Sequence, residues 1–312
     1  MQLIVLGTGA GGGCPQWNCG CFNCIFAREN PQFARTTDAL AVHYENAAQT
    51  QWAIVNPGVD LRHQLAQHVQ LQPPKDGPVR KTPIQSVILT DGELDHTMGL
   101  INLREGAALR IFVTDLVLEL MESIFPVRSV LKNYARLEFV RIVPGEPFFL
   151  GETVKVTATA LSNKLPRYAA DAAGRLDSEN SVIGLKFESA HSSVAYAPQI
   201  GLWDEKVNSL LGGAEIILAD GTFYTSAEMS SLGLSAGSAE SMGHLPLSGE
   251  DGILAHLKKT KARVKLLTHI NNTNPILRDN SPERQAVENA GVRIAVDGMC
   301  LSTSKVKEKL RD

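Results

Sequence analysis

The order of apolar and polar residues along the chain predicts many short strands and a smaller number of helices. Runs rich in Val, Ile and Leu, either alternating with polar residues or continuous, are typical of half-buried and fully buried strands. These runs are residues 2–6, 40–44, 52–55, 86–89, 110–113, 137–142, 154–161, 182–187, 193–196, 215–218, 265–267 and 292–296. Strands in meander-like order, with helices at intervals, indicate two packed sheets flanked by helices.

Apolar residues recur at helical spacing in five other segments. They are residues 61–68, 97–103, 116–124, 249–259 and 282–290. In the last of these Ser281 is a suitable N-cap, Pro282 takes the first helical position and Gly291 follows the end. We find no internal repeat and no linker, so we expect a single domain over residues 1–312. The polar segment 163–180 is either a flap over a site or an ordinary solvated loop.

Composition and charge argue against several classes of function. Hydrophobic residues make up 44% and charged residues 20% of the 312, which permits a substantial core. A net charge of −3 provides no field that would attract nucleic acid or an anionic membrane. The first residues lack the pattern of a secretory signal, and no run approaches the roughly 20 apolar residues of a membrane-spanning helix. We therefore expect a cytoplasmic protein that binds neither nucleic acid nor a membrane.

Four of the five cysteines lie within one short segment: Cys14, Cys19, Cys21 and Cys24. In a reducing compartment such a cluster is more typical of metal binding than of disulfides. The thiolates of Cys19, Cys21 and Cys24 can close on one ion, and soft sulfur favours Zn²⁺ in a structural site. The fourth ligand stays open between Cys14, Cys300 and a group near His269. The alternative to a zinc loop at residues 14–24 is a set of free buried thiols.

A second group of polar residues is dispersed, and each part of it follows an apolar strand run. Its members are Asp91, Glu93, Asp95, His96, Asp220 and His269. A side chain at the end of a buried strand is held rigidly at a sheet edge, as a metal site requires. Singly, Asp95 could cap a helix, Asp220 could belong to a turn and His269 could be a core histidine. Together these residues predict a metal site.

Motifs spread over the whole chain resemble the metallo-β-lactamase superfamily. They are the glycine-rich opening at 6–12, Asn-Pro-Gly-Val-Asp at 56–60, the loop at 91–96, Leu-Ala-Asp-Gly at 218–221, Met-Gly-His at 242–244, Leu-Thr-His at 267–269 and Val-Asp-Gly-Met at 296–299. The cysteine loop resembles the structural-zinc loop of the PhnP-type phosphodiesterase branch. The resemblance implies an α/β fold, an αββα sandwich of two mixed sheets, with the site at one edge between the sheets.

The resemblance also implies that one of two metal positions is lost. In dinuclear members the first metal takes two leading histidines of the loop and a later histidine, and here these places hold Asp91, Glu93 and Asn163. The second metal takes an Asp-His pair, a bridging aspartate and the last histidine. All four persist, as Asp95, His96, Asp220 and His269.

Two further residues are interpreted by comparison with what related proteins carry at the same places. The phosphodiesterase relatives supply a zinc ligand three residues beyond the last motif histidine, where this chain has Asn272, a candidate fourth zinc ligand. His244 falls where tRNA-maturase-like relatives carry a histidine that helps to protonate a leaving group. We expect a catalytic or a structural role for it.

The segments at 90–96 and 268–275 are similar to the coenzyme PQQ synthesis protein B family, which implies a role in biosynthesis of pyrroloquinoline quinone (PQQ). Two imidazoles with two carboxylates resemble the ligand sets of non-haem Fe(II) oxygenases. Our hypothesis is an Fe(II) enzyme, or one with another divalent metal, that uses O₂ to hydroxylate the tyrosine-derived ring of a precursor made from Glu and Tyr. Asp91 and Glu93 would assist as bases, and Lys164 and Arg167 would bind substrate carboxylates.

Three alternatives stay open at this point. A metal-dependent hydrolase is the superfamily's usual activity and needs two metals. A carrier that helps to transport PQQ or its precursor to the periplasm would bind without turnover. A purely structural metalloprotein would hold only the cysteine-bound zinc. A homodimer is a candidate assembly that the sequence does not decide.

Overall fold

The structure, a computed structural model, describes residues 1–47, 49–105, 108–302 and 306–307. Its strands are β1 (Gln2–Gly7), β2 (Ala39–Asn46), β3 (Gln49–Val55), β4 (Ile84–Ile88), β5 (Ala108–Val113), β6 (Arg136–Arg141), β7 (Pro147–Leu150), β8 (Val154–Ser162), β9 (Val182–Ser189), β10 (Ser192–Ala197), β11 (Ile216–Asp220), β12 (Val264–Thr268), β13 (Arg293–Ile294), β14 (Cys300–Ser302) and β15 (Val306–Lys307).

The α-helices are mostly short. They are α1 (Phe22–Glu29), α2 (Leu61–Ala66), α3 (Leu94–Thr97), α4 (Asp115–Glu119), α5 (Val127–Leu131), α6 (Glu205–Leu211), α7 (Glu228–Ser231), α8 (Ile253–Lys259) and α9 (Pro282–Asn289). Segments of 3₁₀-helix lie at Pro31–Phe33, Val69–Leu71, Met98–Leu103, Arg167–Ala172, Glu240–Met242 and Pro275–Leu277, and a π-helical turn at Leu120–Ile124. None of the described helices combines the length and apolar character that crossing a bilayer requires. The cytoplasmic location stays a prediction.

The strands form two mixed sheets. The eight-stranded sheet has the order β15-β14-β1-β2-β3-β4-β5-β6, and the seven-stranded sheet has the order β13-β12-β11-β10-β9-β8-β7. Strands β3 to β6 are parallel in the first sheet, and β10 to β13 are parallel in the second. Parallel neighbours need crossover connections, and these connections carry helices across the outer faces.

Each sheet is apolar on both faces, because one face meets the other sheet and the opposite face meets helices. Along β1, Leu3 and Val5 belong to the core between the sheets, whereas Ile4 and Leu6 pack on the helix side. In β11, Ile216 and Leu218 face inward, while Ile217 and Ala219 face the outer helix layer. The predicted αββα sandwich of two mixed sheets flanked by helices is confirmed.

Every predicted strand run coincides with a strand, but three strands and several helices carried no sequence signal. Strands β7, β14 and β15 have four residues or fewer, too short to show alternation. Helix α1 exposes Phe22 and Phe26 and buries Cys24 and Ala27, so it lacks an ordinary apolar stripe.

The helix predicted at residues 97–103 is wrong in its bounds and type. Helix α3 begins at Leu94, and the chain continues as 3₁₀-helix over Met98–Leu103. A close approach of two backbones lies at this turn, because a Cβ on Gly99 would come within 2.2 Å of the Gly58 carbonyl oxygen. Only glycine fits there.

The polar segment 163–180 packs against the loop that carries the predicted metal ligands. Leu165 and Tyr168 contact a small apolar cluster around Leu116 and Leu120. The Tyr168 hydroxyl donates a hydrogen bond to the Gly92 carbonyl oxygen at 2.7 Å. The segment therefore covers one side of the 91–96 loop, and its movement as a flap stays a prediction.

Candidate metal centre

Three strand ends meet at one edge of the sandwich. Strands β11 and β12 are parallel neighbours, with Asp220 paired to Thr268, so Asp220 and His269 leave the same end of the second sheet. The loop after β4 brings Asp95 and His96 from the first sheet. Potential ligand atoms of Asp95, His96 and His269 all lie within 4.8 Å of one another. Those of Asp220, His244 and His269 form a second such group, so His269 is shared by two adjoining groups of potential ligands.

The atoms of this group suit a divalent cation. His269 Nε2 lies 3.4 Å and His96 Nε2 3.9 Å from Asp95 Oδ2. His96 Nε2 is buried and has no hydrogen-bond partner among the described residues. Leaving a buried polar atom unpaired costs about 1–3 kcal/mol, and a cation bound to His96, Asp95 and His269 removes that cost. The donor set of imidazoles and carboxylates therefore fits a metal.

Asp91 holds His96 in position and is not itself among the grouped ligands. The His96 Nδ1–H donates to the Asp91 carboxylate, 2.7 Å from Oδ2. The Thr90 hydroxyl and the Glu93 amide also donate to Asp91, at 2.7 and 2.9 Å. A carboxylate on one nitrogen of a ligating histidine fixes the ring so that the other nitrogen faces the metal. Asp91 thus supports His96, which is one of the predicted ligands.

Carboxylates dominate the electrostatics of the centre. Burial alone would lower the pKa of His96, but Asp91 and Asp95 outweigh burial and raise that pKa to about 10. Burial opposes ionisation of Asp95, yet the nearby His96 and His269 hold the pKa of its carboxyl far below the usual value. A pocket that stabilises positive charge this strongly favours a cation, which would displace the proton on His96 as it binds.

The position of the His269 imidazole is set by a hydrogen bond to Thr222 and by the left-handed backbone conformation of His269. The His269 Nδ1–H donates to the Thr222 hydroxyl at 2.9 Å, which leaves Nε2 to face Asp95. His269 has a φ of 54°, a left-handed conformation that costs a non-glycine residue on the order of 1–2 kcal/mol. The surroundings of the residue therefore have to hold this backbone in place.

Asp220 is fully buried and bonded through both carboxylate oxygens. Oδ2 accepts from the Ile200 amide and from His244 Nδ1, each at 2.8 Å, and Oδ1 accepts from the Thr222 amide at 2.9 Å. Burial opposes its ionisation, but His244 and then His269 lower the pKa of the carboxyl. His244 also stacks on His269, with ring centroids 5.4 Å apart. The predicted catalytic histidine thus contacts two of the predicted ligands.

Glu93 stands beside these groups with a pKa suited to proton transfer. Burial is the largest cause, followed by repulsion from Asp91 and Asp95, and together they raise the pKa of Glu93 to about 7. A group with a pKa near the working pH transfers protons most efficiently. Its role as a base stays a prediction.

The two predicted substrate-binding cations have different surroundings. The Lys164 ammonium donates to the Ser241 carbonyl oxygen at 2.7 Å, and its stem packs beside Gly243, next to His244. Arg167 is exposed at the start of a 3₁₀ segment. Both belong to the segment 163–180. Their contact with a substrate stays a prediction.

A buried polar floor beneath the site was not foreseen from the sequence. Asp38 is 0% exposed and accepts hydrogen bonds from the hydroxyls of Tyr196 and Thr268. The Asn56 amide donates to the Thr90 hydroxyl at 2.8 Å and to the Tyr196 hydroxyl at 3.2 Å. These bonds join the two sheets behind the metal ligands. Asp38 precedes an apolar run instead of following one, so a search of strand ends passes over it.

The glycine-rich segment at residues 7–13 reaches the site through its backbone. The Gly11 amide donates to Asp95 Oδ2 at 3.0 Å, and the Ala10 amide donates to the Ile270 carbonyl oxygen at 3.0 Å. Gly11 has a φ of 51°, which favours glycine. The segment therefore supports Asp95 from outside the cluster.

The cysteine cluster forms a second candidate metal site. The sulfurs of Cys19, Cys21 and Cys24 lie within 4.8 Å of one another. The side-chain amide of Asn272 lies over them, with Nδ2 3.1 Å from Cys19 Sγ and 3.2 Å from Cys24 Sγ. The nitrogen and oxygen of such an amide exchange places when it turns by half a rotation, so Asn272 can offer its oxygen as the fourth ligand.

Of the other two cysteines, Cys14 packs against this group and Cys300 packs elsewhere. Cys14 is buried beside Cys24, but its thiol donates to the Asn23 carbonyl oxygen at 3.8 Å. Cys300 lies in β14 and packs on the outer face of the first sheet. Cys300 as the fourth zinc ligand is therefore wrong, because the fold separates it from the cluster.

Asp91→Asn is expected to weaken metal binding at the centre about 10- to 100-fold, the usual effect of losing the outer partner of a ligating histidine. The amide keeps the shape but removes the charge that holds the His96 ring. Chelator competition measures the dissociation constant. Asp115→Asn, which removes an exposed carboxylate paired with Arg141, is the matched control. Equal affinity in the two variants contradicts the assigned role of Asp91.

Comparisons with known proteins identify the family of this chain. Residues 51–270 match the beta-lactamase superfamily domain. The chain is 40% identical over 305 residues to coenzyme PQQ synthesis protein B of Cupriavidus taiwanensis, covering 95% of this chain and 98% of that protein. It is 34% identical over 304 residues to the protein of the same description from Acinetobacter baumannii (strain SDF), covering 96% and 99%.

A solved structure extends the similarity to three dimensions. Zinc-bound PqqB from Methylobacterium extorquens matches with a TM-score of 0.86 and 30% identity, over 97% of this chain and 100% of that chain. The resemblance drawn from the motifs is therefore confirmed, together with the binding of a divalent metal as a property of the fold.

Proposed function

Since this chain belongs to the coenzyme PQQ synthesis protein B family, and so to PQQ biosynthesis, we propose that it is an iron-dependent oxygenase acting on the tyrosine-derived ring of a PQQ precursor. One observation carries the proposal. Potential ligand atoms of Asp95, His96 and His269 form one group, and Asp220 joins His269 and His244 in a group beside it, while Asp91 holds His96.

The residues that would hold the metal are Asp95, His96, Asp220 and His269. Iron bound by such a set supplies a redox centre at which O₂ can react, which a zinc ion cannot supply. The zinc named for the Methylobacterium extorquens structure is compatible with this proposal, because zinc outcompetes Fe(II) at most sites with nitrogen and oxygen ligands.

The overall reaction balances without an added reductant. A phenol and one O₂ give an ortho-quinone and one water: one oxygen atom enters the ring, and the other leaves as water with two hydrogens from the substrate. The ring hydroxyls must lose their protons during this change. Glu93, with a pKa raised to about 7 by burial and by the neighbouring carboxylates, would accept one of these protons.

The remaining side chains bind and orient the substrate. A precursor derived from Glu and Tyr carries several carboxylates, and Lys164 and Arg167 stand on the segment that covers the site. Charge-assisted hydrogen bonds from these cations would fix the ring toward the metal position. His244 donates to Asp220 and stacks on His269, so it would hold these two predicted ligands in position.

The site favours this reaction over hydrolysis. A dinuclear hydrolase holds a bridging hydroxide between two metals. In this chain Asp91, Glu93 and Asn163 stand where dinuclear members carry the imidazoles of the first metal, and the Asp91 carboxylate accepts hydrogen bonds from Thr90, Glu93 and His96.

The test compares the iron-loaded form of the protein with its zinc-loaded form. Metal-free protein is reloaded anaerobically with Fe(II) or with Zn²⁺ and incubated with the tyrosine-derived precursor, with and without O₂. We expect oxygen uptake matched by a mass change of one oxygen gained and two hydrogens lost, and only with iron and O₂ together. Ester or amide cleavage by the zinc form without O₂ would indicate a hydrolase. Tight binding without conversion would indicate a carrier.

A further inference from the structure

Three buried asparagines link the cysteine cluster to the metal centre. Asn23, Asn272 and Asn274 are only 5%, 4% and 0% exposed, and side-chain amides reach such burial when they are hydrogen-bonded. We propose that they are positioning residues, through which zinc on the cysteine loop holds Asp220 and His269 in place for the active-site metal. This inference rests on the metal-binding part of the proposed function and not on the reaction.

The first link joins the cysteine loop to the segment after His269. Asn23 lies between Cys21 and Cys24, and its Nδ2 donates to the carbonyl oxygens of Asn272 and Asn274, both at 2.9 Å. The side chain of Asn272 reaches back over the sulfurs, 3.2 Å from Cys24 Sγ. Closing the loop around an ion therefore fixes the backbone at residues 272–274.

The second link joins that segment to the turn after β11. Asn274 Nδ2 donates to the carbonyl oxygens of Gly221 at 2.9 Å and of Thr222 at 3.2 Å. The Asn271 amide donates to the same Thr222 carbonyl oxygen at 3.1 Å. Because Gly221 and Thr222 directly follow Asp220, the backbone that carries this carboxylate is held from the zinc side.

The third link is the Thr222 side chain, which contacts two predicted ligands at once. Its hydroxyl donates to Asp220 Oδ1 at 2.6 Å and accepts from His269 Nδ1 at 2.9 Å. A hydrogen bond at Nδ1 fixes the tautomer and aims Nε2 at the metal. The strained backbone of His269, with a φ of 54°, is thereby held from both sides: by Thr222 and by Asn272 three residues further on.

These links couple the two metal sites energetically. If zinc on the sulfurs strengthens binding at the active site, metal at the active site must strengthen zinc binding by the same factor. Loss of the cysteine-bound zinc removes the fixed end of the asparagine links, so Asp220 and His269 lose part of their preorganisation.

The first experiment removes single links in the full-length chain. Asn23→Ala and Asn274→Ala are compared with wild type and with the control Asn30→Ala. The control removes a hydrogen bond from the Asn30 side-chain amide to the Phe26 carbonyl oxygen at the end of helix α1, which also contains Asn23. Mn²⁺ reports the active site by its electron paramagnetic resonance signal, because thiolates bind it poorly. We expect roughly 10- to 100-fold weaker Mn²⁺ binding in the two link variants and wild-type binding in Asn30→Ala. Wild-type affinity in folded link variants overturns the proposal.

A second experiment needs no substitution in the links, in case those variants do not fold. A mercurial reagent removes zinc from the cysteines in a Cys300→Ala background, and Mn²⁺ affinity is measured before the treatment, after it, and after thiol and zinc are restored. We expect reversible weakening, and unchanged affinity overturns the proposal. If the untreated protein binds no Mn²⁺, the proposed metal centre is refuted together with the coupling. If Mn²⁺ binds with the same affinity whether or not zinc is on the cysteines, only the coupling is refuted.

Discussion

His269→Ala is expected to abolish metal binding at the active site and all activity that depends on it. A ring nitrogen of His269 is grouped with ligand atoms of Asp95 and His96. The backbone of His269 is held in a left-handed conformation. Loss of an outer partner costs about 10- to 100-fold in affinity, and loss of a ligand should exceed that. Elemental analysis after dialysis against a chelator, with the dissociation constant by competition, measures the effect.

Two further variants separate ligand loss from misfolding. Asn is tolerated in the left-handed region better than most residues, so His269→Asn should fold at least as well as wild type and still lose the metal. His256→Ala removes an imidazole that stacks on Trp203 away from the site, and it should keep the metal. Undiminished affinity in His269→Ala would refute the metal centre described here.

Cys24→Ala is expected to release the structural zinc and to lower the free energy of unfolding by about 4 kcal/mol or more. Apparent binding free energies of structural zinc reach about 10–16 kcal/mol in zinc-finger peptides, and binding is coupled to folding. The Cys24 side chain is fully buried, and helix α1 lacks an apolar stripe that could hold it without the metal. The metal content should fall by one zinc per chain, and urea unfolding gives the loss of stability.

Cys300→Ala provides the matched control, since this thiol lies in β14 and outside the cluster. It should keep the zinc and most of its stability. A chelator should destabilise wild type and Cys300→Ala but have little further effect on Cys24→Ala. Full zinc retention in Cys24→Ala would show that the cysteine loop is not the zinc site.

The sequence predicted the candidate ligand positions because their signal is local. Asp95, His96, Asp220 and His269 each follow an apolar run, and the end of a buried strand is a rigid place for a side chain. The three clustered cysteines are recognisable for a similar reason, since their spacing alone lets them meet. The bounds of strands such as β4 and β11 follow from the same local pattern of apolar residues.

The roles of supporting residues could not be found in this way. Asp38 contacts Tyr196, which is 158 positions away, and Asn23 contacts Asn274, which is 251 positions away. Nothing in the sequence near Asn23 or Asp38 distinguishes it from a polar surface residue. The use of Asp91 as a support for His96 likewise depends on the turn of the loop.

By itself, the sequence determined the strand runs, the two-sheet sandwich and the residue types able to bind metal, because periodicity, burial and donor chemistry are properties of short segments. Only the tertiary structure decided which of those residues lie within contact of one another, that Asp91 is bonded to His96, and which hydrogen bonds lead from the cysteine loop to the turn after Asp220. The physical reason is that hydrogen bonds and metal coordination act over about 3 Å, and chain folding alone brings residues hundreds of positions apart within that distance.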